Sequence, residues 1–136
     1  MPRADQIETG QPLPPFAASA DGQRMKTVAA LLNDPVPLHF DVAAVEALGY
    51  GNRVLNQGPI TVAFLLEAVS SFAGGHQNVR RFDVRLLGSV YDGEQVICGG
   101  TVAAVDAAAG TADLELEARV AERLLLEATA TIALLT

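Results

Sequence analysis

One long apolar segment constrains the fold of this 136-residue chain more than any other feature of its sequence. Gly58-Pro59 opens the segment, and proline suits the first turn of a helix because its missing N–H has no helical partner there. Gly74-Gly75 ends it. A helix that is apolar on nearly every side has to be wrapped by other parts of the protein. The apolar positions are Ile60, Val62, Ala63, Phe64, Leu65, Leu66, Ala68, Val69, Phe72 and Ala73.

The wrapping is predicted by the sequence that follows, where apolar and polar residues alternate to the end of the chain. Val84 and Leu86 begin the alternation, and Asp92-Gly93 is typical of a hairpin turn into the next strand. A tight connection at Ala121-Glu122 precedes the last strand. The alternation therefore predicts four consecutive antiparallel strands, at about 84–86, 95–105, 112–120 and 124–134, with a small loop at 106–110.

The first half of the chain predicts shorter elements. Three prolines in residues 11–20 favour an extended edge segment, since proline removes a backbone donor. Asp21 or Gly22 begins a short amphipathic helix that Pro35 stops, and Asp41 caps a second helix over residues 42–48. Residues 1–10 and 49–57 are expected to be a polar lead-in and a polar loop. The sum is a single α+β domain over residues 1–136, a curved antiparallel sheet around a central apolar helix.

Charge and cysteine content narrow the function classes. A formal net charge of −7 argues against a nucleic-acid partner, because such affinity comes mainly from basic residues. Cys98 is the only cysteine and no His cluster accompanies it, so neither a disulfide nor a zinc site is expected. The N-terminus is polar, and the longest apolar stretch is too short to span a bilayer. We expect a soluble cytoplasmic protein without a membrane partner.

Asp34 and His39 are the candidate catalytic side chains, separated by a proline-rich turn just ahead of the apolar helix. Alone, Asp34 could cap a turn and His39 could be a structural histidine. Together at this spacing they favour an acid–base pair, because an imidazole titrates near neutral pH. Gly58 is the natural oxyanion donor, since free amides at a helix N-terminus favour negative charge. Plain helix-start geometry explains Gly58 equally well.

Two segments carry a resemblance to a known family. Residues 34–41, DPVPLHFD, match the Asp-x-Asn-Pro-x-His core of the MaoC-like hydratases at the acid, at Pro37 and at His39. Residues 57–65, QGPITVAFL, are similar to the His-Gly-Met-Leu-Thr turn with which that family enters its central helix. The chain thus resembles the (R)-specific enoyl-CoA hydratases and dehydratases of the hot-dog fold. It departs from them at Val36, where asparagine is usual, and at Gln57, where histidine is common.

The resemblance implies an enzyme that hydrates trans-2-enoyl-CoA to (R)-3-hydroxyacyl-CoA, or catalyses the reverse dehydration, with no metal or redox cofactor. Asp34 and His39 would hold one water molecule, and Gly58 would bind the thioester oxygen. The family further implies a homodimer with the acyl thioester between the subunits. Candidate substrate-binding residues are Asn56, Gln57 and Arg53, the last for coenzyme A phosphates.

Two alternatives stay open. A hot-dog thioesterase would use a carboxylate and the same helix N-terminus to hydrolyse the thioester, although the Asp34 and His39 pair favours a hydratase. A catalytically silent subunit of a heteromeric hydratase is consistent with Val36 and Gln57. We assign no role to His76 and expect Cys98 to be a small buried hydrophobe.

Overall fold

The computed structural model describes residues 1–135 and confirms the predicted fold class, an α+β hot-dog in which a five-stranded antiparallel sheet curves around a central helix. The helices and strands are β1 (Phe16–Ser19), α1 (Gly22–Leu32), α2 (Val42–Ala47), α3 (Gly58–Ala73), β2 (Val79–Leu86), β3 (Gln95–Asp106), β4 (Thr111–Val120) and β5 (Arg123–Ala133). Short 3₁₀ turns lie at Ala4–Gln6, Pro37–His39 and His76–Asn78. No helix within residues 1–135 has the length and apolar character needed to cross a lipid bilayer.

The central helix α3 contacts all five strands, and its Leu65 and Val69 are 0% exposed. Burying a side chain of this size stabilises the fold by roughly 1.5–3 kcal/mol. Gly74 ends the helix in the left-handed conformation with φ 73°. The wrapping is less complete than the sequence predicts, because a stripe at Ala63, Glu67 and Ser71 is exposed. Two of these three residues are polar, so solvent on this side of the helix costs little.

The strand order is β1-β3-β4-β5-β2, which corrects the predicted hairpin at Asp92-Gly93. β2 pairs with β5 at one edge, whereas β3 pairs with β1 and β4, so this turn does not join neighbouring strands. The two turn residues find other partners: Asp92 N donates to Val54 O, and Gly93 N donates to Ala20 O. The link from β2 to β3 therefore crosses the domain.

Two adjacent glycines of β3 differ sharply in their surroundings. A Cβ atom on Gly100 would lie 2.2 Å from Glu115 O and 2.9 Å from a methyl group of Leu116, both on β4. A Cβ atom on Gly99 would have no neighbour within 4 Å. The close approach of β3 and β4 therefore requires glycine at position 100, whereas position 99 has room for a side chain.

The capping residues of the two short helices are confirmed, while several boundaries differ from expectation, among them the start of β2 at Val79 in place of residue 84. Asp21 accepts from the second and third amides of α1, and Asp41 does the same for α2, which ends at Ala47. Residues 1–10 are more than a lead-in, because Ile7 is buried and Gly10 N donates to Val102 O. Residues 54–57 of the predicted polar loop are buried, since they pack beneath the β2–β3 link.

Candidate active site

The end of α1 places Asp34 beside His39. Asn33 adopts the left-handed conformation (φ 51°, ψ 44°), and Asp34 N then donates to Ala29 O at 2.9 Å, which turns the chain away from the helix axis. Asp34 Oδ1 accepts from Val36 N at 3.1 Å. The following 3₁₀ turn brings His39 Nε2 to 3.7 Å from Asp34 Oδ2. The side chains are 15% exposed for His39 and 25% for Asp34, so both are shielded yet reachable.

The hydrogen bond at Nδ1 of His39 defines the tautomer of its ring. Its Nδ1 lies 2.7 Å from Leu55 O, and a carbonyl oxygen only accepts, so Nδ1 carries the proton. In the neutral imidazole, Nε2 then presents a lone pair towards Asp34 Oδ2. The 3.7 Å between these atoms exceeds a direct hydrogen bond. Two facing acceptors at this separation can share one water molecule, whose two O–H groups donate to both.

Gly58 provides the accessible amide at the start of α3. Pro59 has no N–H, and Ile60 N and Thr61 N donate to Gln57 O at 3.0 and 3.2 Å. Within residues 1–135, Gly58 N–H donates to no acceptor. The positive end of the helix dipole and this free donor together favour a developing negative charge next to Gly58.

A cavity of about 410 Å³ joins the candidate groups. It is lined by His39, Leu55, Asn56, Gly58, Thr61 and residues 86–90. Asp34 lies outside this lining and borders a neighbouring shallow depression of about 390 Å³ with Ala29, Ala30, Phe40 and Lys26. Asp34 and His39 therefore lie between the depression and the cavity, and His39 lines the cavity that contains the Gly58 amide.

The structure separates the two candidate amides. Asn56 is 7% exposed, lines the cavity, and donates from Nδ2 to Thr61 Oγ1 at 2.9 Å. Gln57 is 1% exposed, does not line the cavity, and donates from Nε2 to Met25 O at 2.9 Å. Its Oε1 has no partner within residues 1–135, which costs roughly 1–3 kcal/mol for a buried acceptor.

Arg53 lies away from the cavity in an arginine cluster of its own. It donates to Asp92 O at 3.2 Å and to Glu94 Oε1 at 3.4 Å, and it lies over the ring of Tyr91. Burial works against ionised Glu94, but the Tyr91 amide, Arg123 and Arg53 together hold the pKa of its carboxyl below the usual value. The guanidinium charge is thus partly neutralised, and phosphate binding by Arg53 stays a prediction.

Sequence reasoning missed Thr61 and residues 86–90 as parts of the cavity wall. Thr61 is 2% exposed and stands three residues after Gly58, on the same helix face, a spacing that could have revealed it. Residues 86–90 belong to the link whose path the alternation pattern does not predict. Cys98 is buried as expected, which raises the pKa of its thiol to about 11 and keeps it unreactive. Residues 1–135 contain no group of three or more His, Cys, Asp or Glu side chains placed to hold a metal.

Comparison with known proteins identifies the fold. No protein-family model matches the chain, and no curated protein matches it. Among solved structures, the (R)-hydratase from A. caviae involved in PHA biosynthesis has a TM-score of 0.82 at 19% identity, covering 94% of this chain and 97% of that one. A MaoC-like dehydratase has a TM-score of 0.89 at 21% identity, covering 98% of this chain but 42% of its own length.

The ChsH1-ChsH2 complex from Mycobacterium tuberculosis has a TM-score of 0.79 at 20% identity, over 93% of this chain and 98% of the matched chain. These likenesses extend over nearly the entire length of this chain. The chain therefore has the hot-dog fold found in (R)-hydratases and MaoC-like dehydratases.

Proposed function

We propose that this chain is a MaoC-like hydratase or dehydratase that acts on acyl thioesters, hydrating a trans-2-enoyl-CoA to the (R)-3-hydroxyacyl-CoA or catalysing the reverse. One observation carries the proposal: His39, with its Nδ1 proton held by Leu55 O, faces Asp34 across 3.7 Å beside the cavity that contains the Gly58 amide. A general base, a proton carrier and an oxyanion donor are the three groups that this addition requires.

In the hydration direction, Asp34 and His39 Nε2 accept the two hydrogens of one water molecule. As the water oxygen bonds to C3 of the substrate, one O–H bond breaks and its proton passes to the pair. The electrons of the C2–C3 double bond move towards the thioester carbonyl, and C2 then takes a proton. With Asp34 ionised and Nε2 unprotonated at the start, the proton delivered to C2 is the one that the water gave up.

Gly58 N–H stabilises the negative charge that builds on the thioester oxygen during this step. The donor is part of the backbone, so it needs no rearrangement when the charge appears. Loss of one such donor typically raises the barrier by about 2.7–4 kcal/mol. Dehydration would use the same groups in reverse.

Gly58→Ala is expected to lower kcat/KM by about 10²-fold, because the added methyl group obstructs the approach to the amide. The methyl would lie 3.5 Å from Leu86 Cδ2, an ordinary contact, so the fold should tolerate it. Steady-state hydration rates and thermal unfolding measure the two effects separately. Ala63→Gly, on the exposed stripe of α3, is the control that should weaken the helix and leave turnover intact. A fall in Tm that accounts for the whole activity loss of Gly58→Ala would contradict the role.

The reaction itself is tested by adding the purified protein to short- and medium-chain trans-2-enoyl-CoAs. Hydration removes the ultraviolet absorbance of the conjugated enoyl thioester without releasing free thiol. Thiol release would instead identify a thioesterase. Absence of both signals would reject catalysis by this chain alone and favour a silent subunit.

We also propose that the chain forms a homodimer through β2. This strand lies at the edge of the sheet, and its exposed fractions are 37% at Val84 and 53% at Leu86. Leu86 and the adjoining Leu87, itself 42% exposed, line the cavity, so a second chain paired along β2 would close it.

Light scattering is expected to give about twice the 14.2 kDa mass of the single chain. Val84→Lys should shift the protein towards the monomer and reduce hydration, because it places a charge in the buried contact. Ile97→Lys is the matched control, since Ile97 is 41% exposed on β3, away from this edge. An unchanged dimer in Val84→Lys would show that the contact lies elsewhere.

A further inference from the structure

Gln57 is a buried polar side chain that the proposed reaction does not use. It is 1% exposed, lies outside the cavity lining, and its Oε1 has no partner within residues 1–135. Its Nε2 nevertheless donates to Met25 O at 2.9 Å, across 32 positions of sequence. An apolar side chain of similar size would fill the same space without leaving an acceptor unpaired. The one hydrogen bond that the Gln57 side chain makes within residues 1–135 is thus the feature to explain.

That bond reaches the helix that carries Asp34. Met25 lies on α1, and Ala29 is one helical turn further along, where its amide donates back to Met25 O in the regular α-helical pattern. Ala29 O in turn accepts from Asp34 N at 2.9 Å. Hydrogen bonds joined through the backbone of Ala29 therefore connect the Gln57 side chain to the backbone of Asp34.

Gln57 is also a close neighbour in the sequence of the residues that hold His39 and supply the helix amide. It is covalently joined to Gly58, and its own carbonyl accepts from Ile60 N and Thr61 N in the first turn of α3. Two residues before it, Leu55 O fixes the ring of His39 at 2.7 Å. Residues 55–58 consequently hold all three groups: Leu55 holds His39, Gln57 holds the helix of Asp34, and Gly58 supplies the amide.

We propose that Gln57 is a positioning residue, whose side-chain amide ties α1 to the start of α3 and so sets the place of Asp34 relative to His39 and Gly58 N–H. Its effect on turnover rests on the proposed function. A directional hydrogen bond fixes the offset between the two helices, whereas an apolar contact of equal volume allows them to slide. Small displacements matter here, because a misplacement of about 1 Å can cost roughly 10²-fold in rate.

The first test is Gln57→Met, which keeps the volume and removes the donor. We expect kcat to fall by about 10²-fold with little change in KM, since thioester binding does not depend on Asp34. Gln57→His should recover much of the loss, because its ring N–H lies at a similar distance from the backbone and can reach Met25 O. Equal kcat for Gln57→Met and the original protein would overturn the proposal.

Asn78 provides a matched control at the other end of α3. It is 5% exposed and donates from Nδ2 to Ala73 O at 2.9 Å, so Asn78→Leu also removes one buried amide donor. We expect Asn78→Leu to lower Tm while leaving kcat unchanged. A kcat loss in Asn78→Leu that matches that of Gln57→Met would mean that general loosening of the helix, and not positioning, explains the effect.

A double-mutant cycle distinguishes action through Asp34 from an independent role. In the Asp34→Asn background, Gln57→Met should reduce kcat little further, because the group that it positions is already absent. Two losses that multiply fully would overturn the assignment.

Amide hydrogen exchange tests the same inference without reference to turnover. Gln57→Met is expected to speed exchange of the Asp34 amide by roughly tenfold, while Asn78→Leu leaves it unchanged. If the original protein hydrates none of the enoyl thioesters tested, the proposed function fails, and this exchange measurement still decides whether Gln57 holds Asp34. Unchanged exchange at Asp34 in Gln57→Met would reject the tie between the helices.

Discussion

Replacing Asp34 with asparagine is expected to lower kcat for enoyl-thioester hydration by about 10³-fold, within the usual range for loss of a positioned acid–base group. Asparagine has the same shape and keeps an oxygen for the Val36 amide, but it cannot take a proton from water. Because asparagine keeps the size of the side chain and the bond from Val36 N, we expect little change in stability. Steady-state kinetics and thermal unfolding of the same preparations measure both quantities.

His39→Ala should cause a comparable loss, and the double variant should be scarcely worse than either single one, because the two residues act as a unit on one water molecule. Asp41→Asn is the matched control: this neighbouring carboxylate caps α2, asparagine caps as well, and activity should not change. Near-normal turnover in both Asp34→Asn and His39→Ala would exclude this pair as the catalytic site.

Gly100→Ala is expected to destabilise the fold by about 3 kcal/mol, at the upper end of the cost of overpacking a core. Its methyl group would lie 2.2 Å from Glu115 O, a backbone atom in the middle of the sheet that cannot move without breaking strand pairing. Urea unfolding gives the free energy directly. Gly99→Ala, with open space at its Cβ position, should be as stable as the original protein or slightly more so. Equal stability of the two variants would contradict the close approach of β3 and β4.

The sequence predicts the elements of this fold better than their arrangement. The apolar run of α3 and the later alternation indicate a helix and strands because both report which side of an element is buried. Alternation does not encode the partner of a strand. Asp92-Gly93 has the composition of a hairpin turn, yet its own amides donate to Val54 O and Ala20 O, at positions distant in the sequence. The partners of a strand or a turn are determined by tertiary packing.

The same limit applies to the candidate site. Asp34 and His39 are close in the sequence, so their spacing alone predicted that they could meet. The bond from Gln57 to Met25 spans two helices, and no local pattern reports it. Positive charge suggested a phosphate ligand for Arg53, but charge does not specify which acid will be its partner, and Glu94 lies within reach.

Residues 55–58 hold all three reacting groups in place. This arrangement has a consequence for how such an enzyme could acquire new substrates. The opposite wall of the cavity, residues 86–90, belongs to a separate segment of chain. The side chains of residues 86–89 can change without moving the groups held by residues 55–58, whereas Val90 has to keep its place because its carbonyl accepts from Asn56 N at 2.7 Å. Libraries that vary the side chains of residues 86–89 should therefore alter which acyl chains are accepted while the reaction stays the same, whereas an insertion within 55–58 would disable it for every substrate.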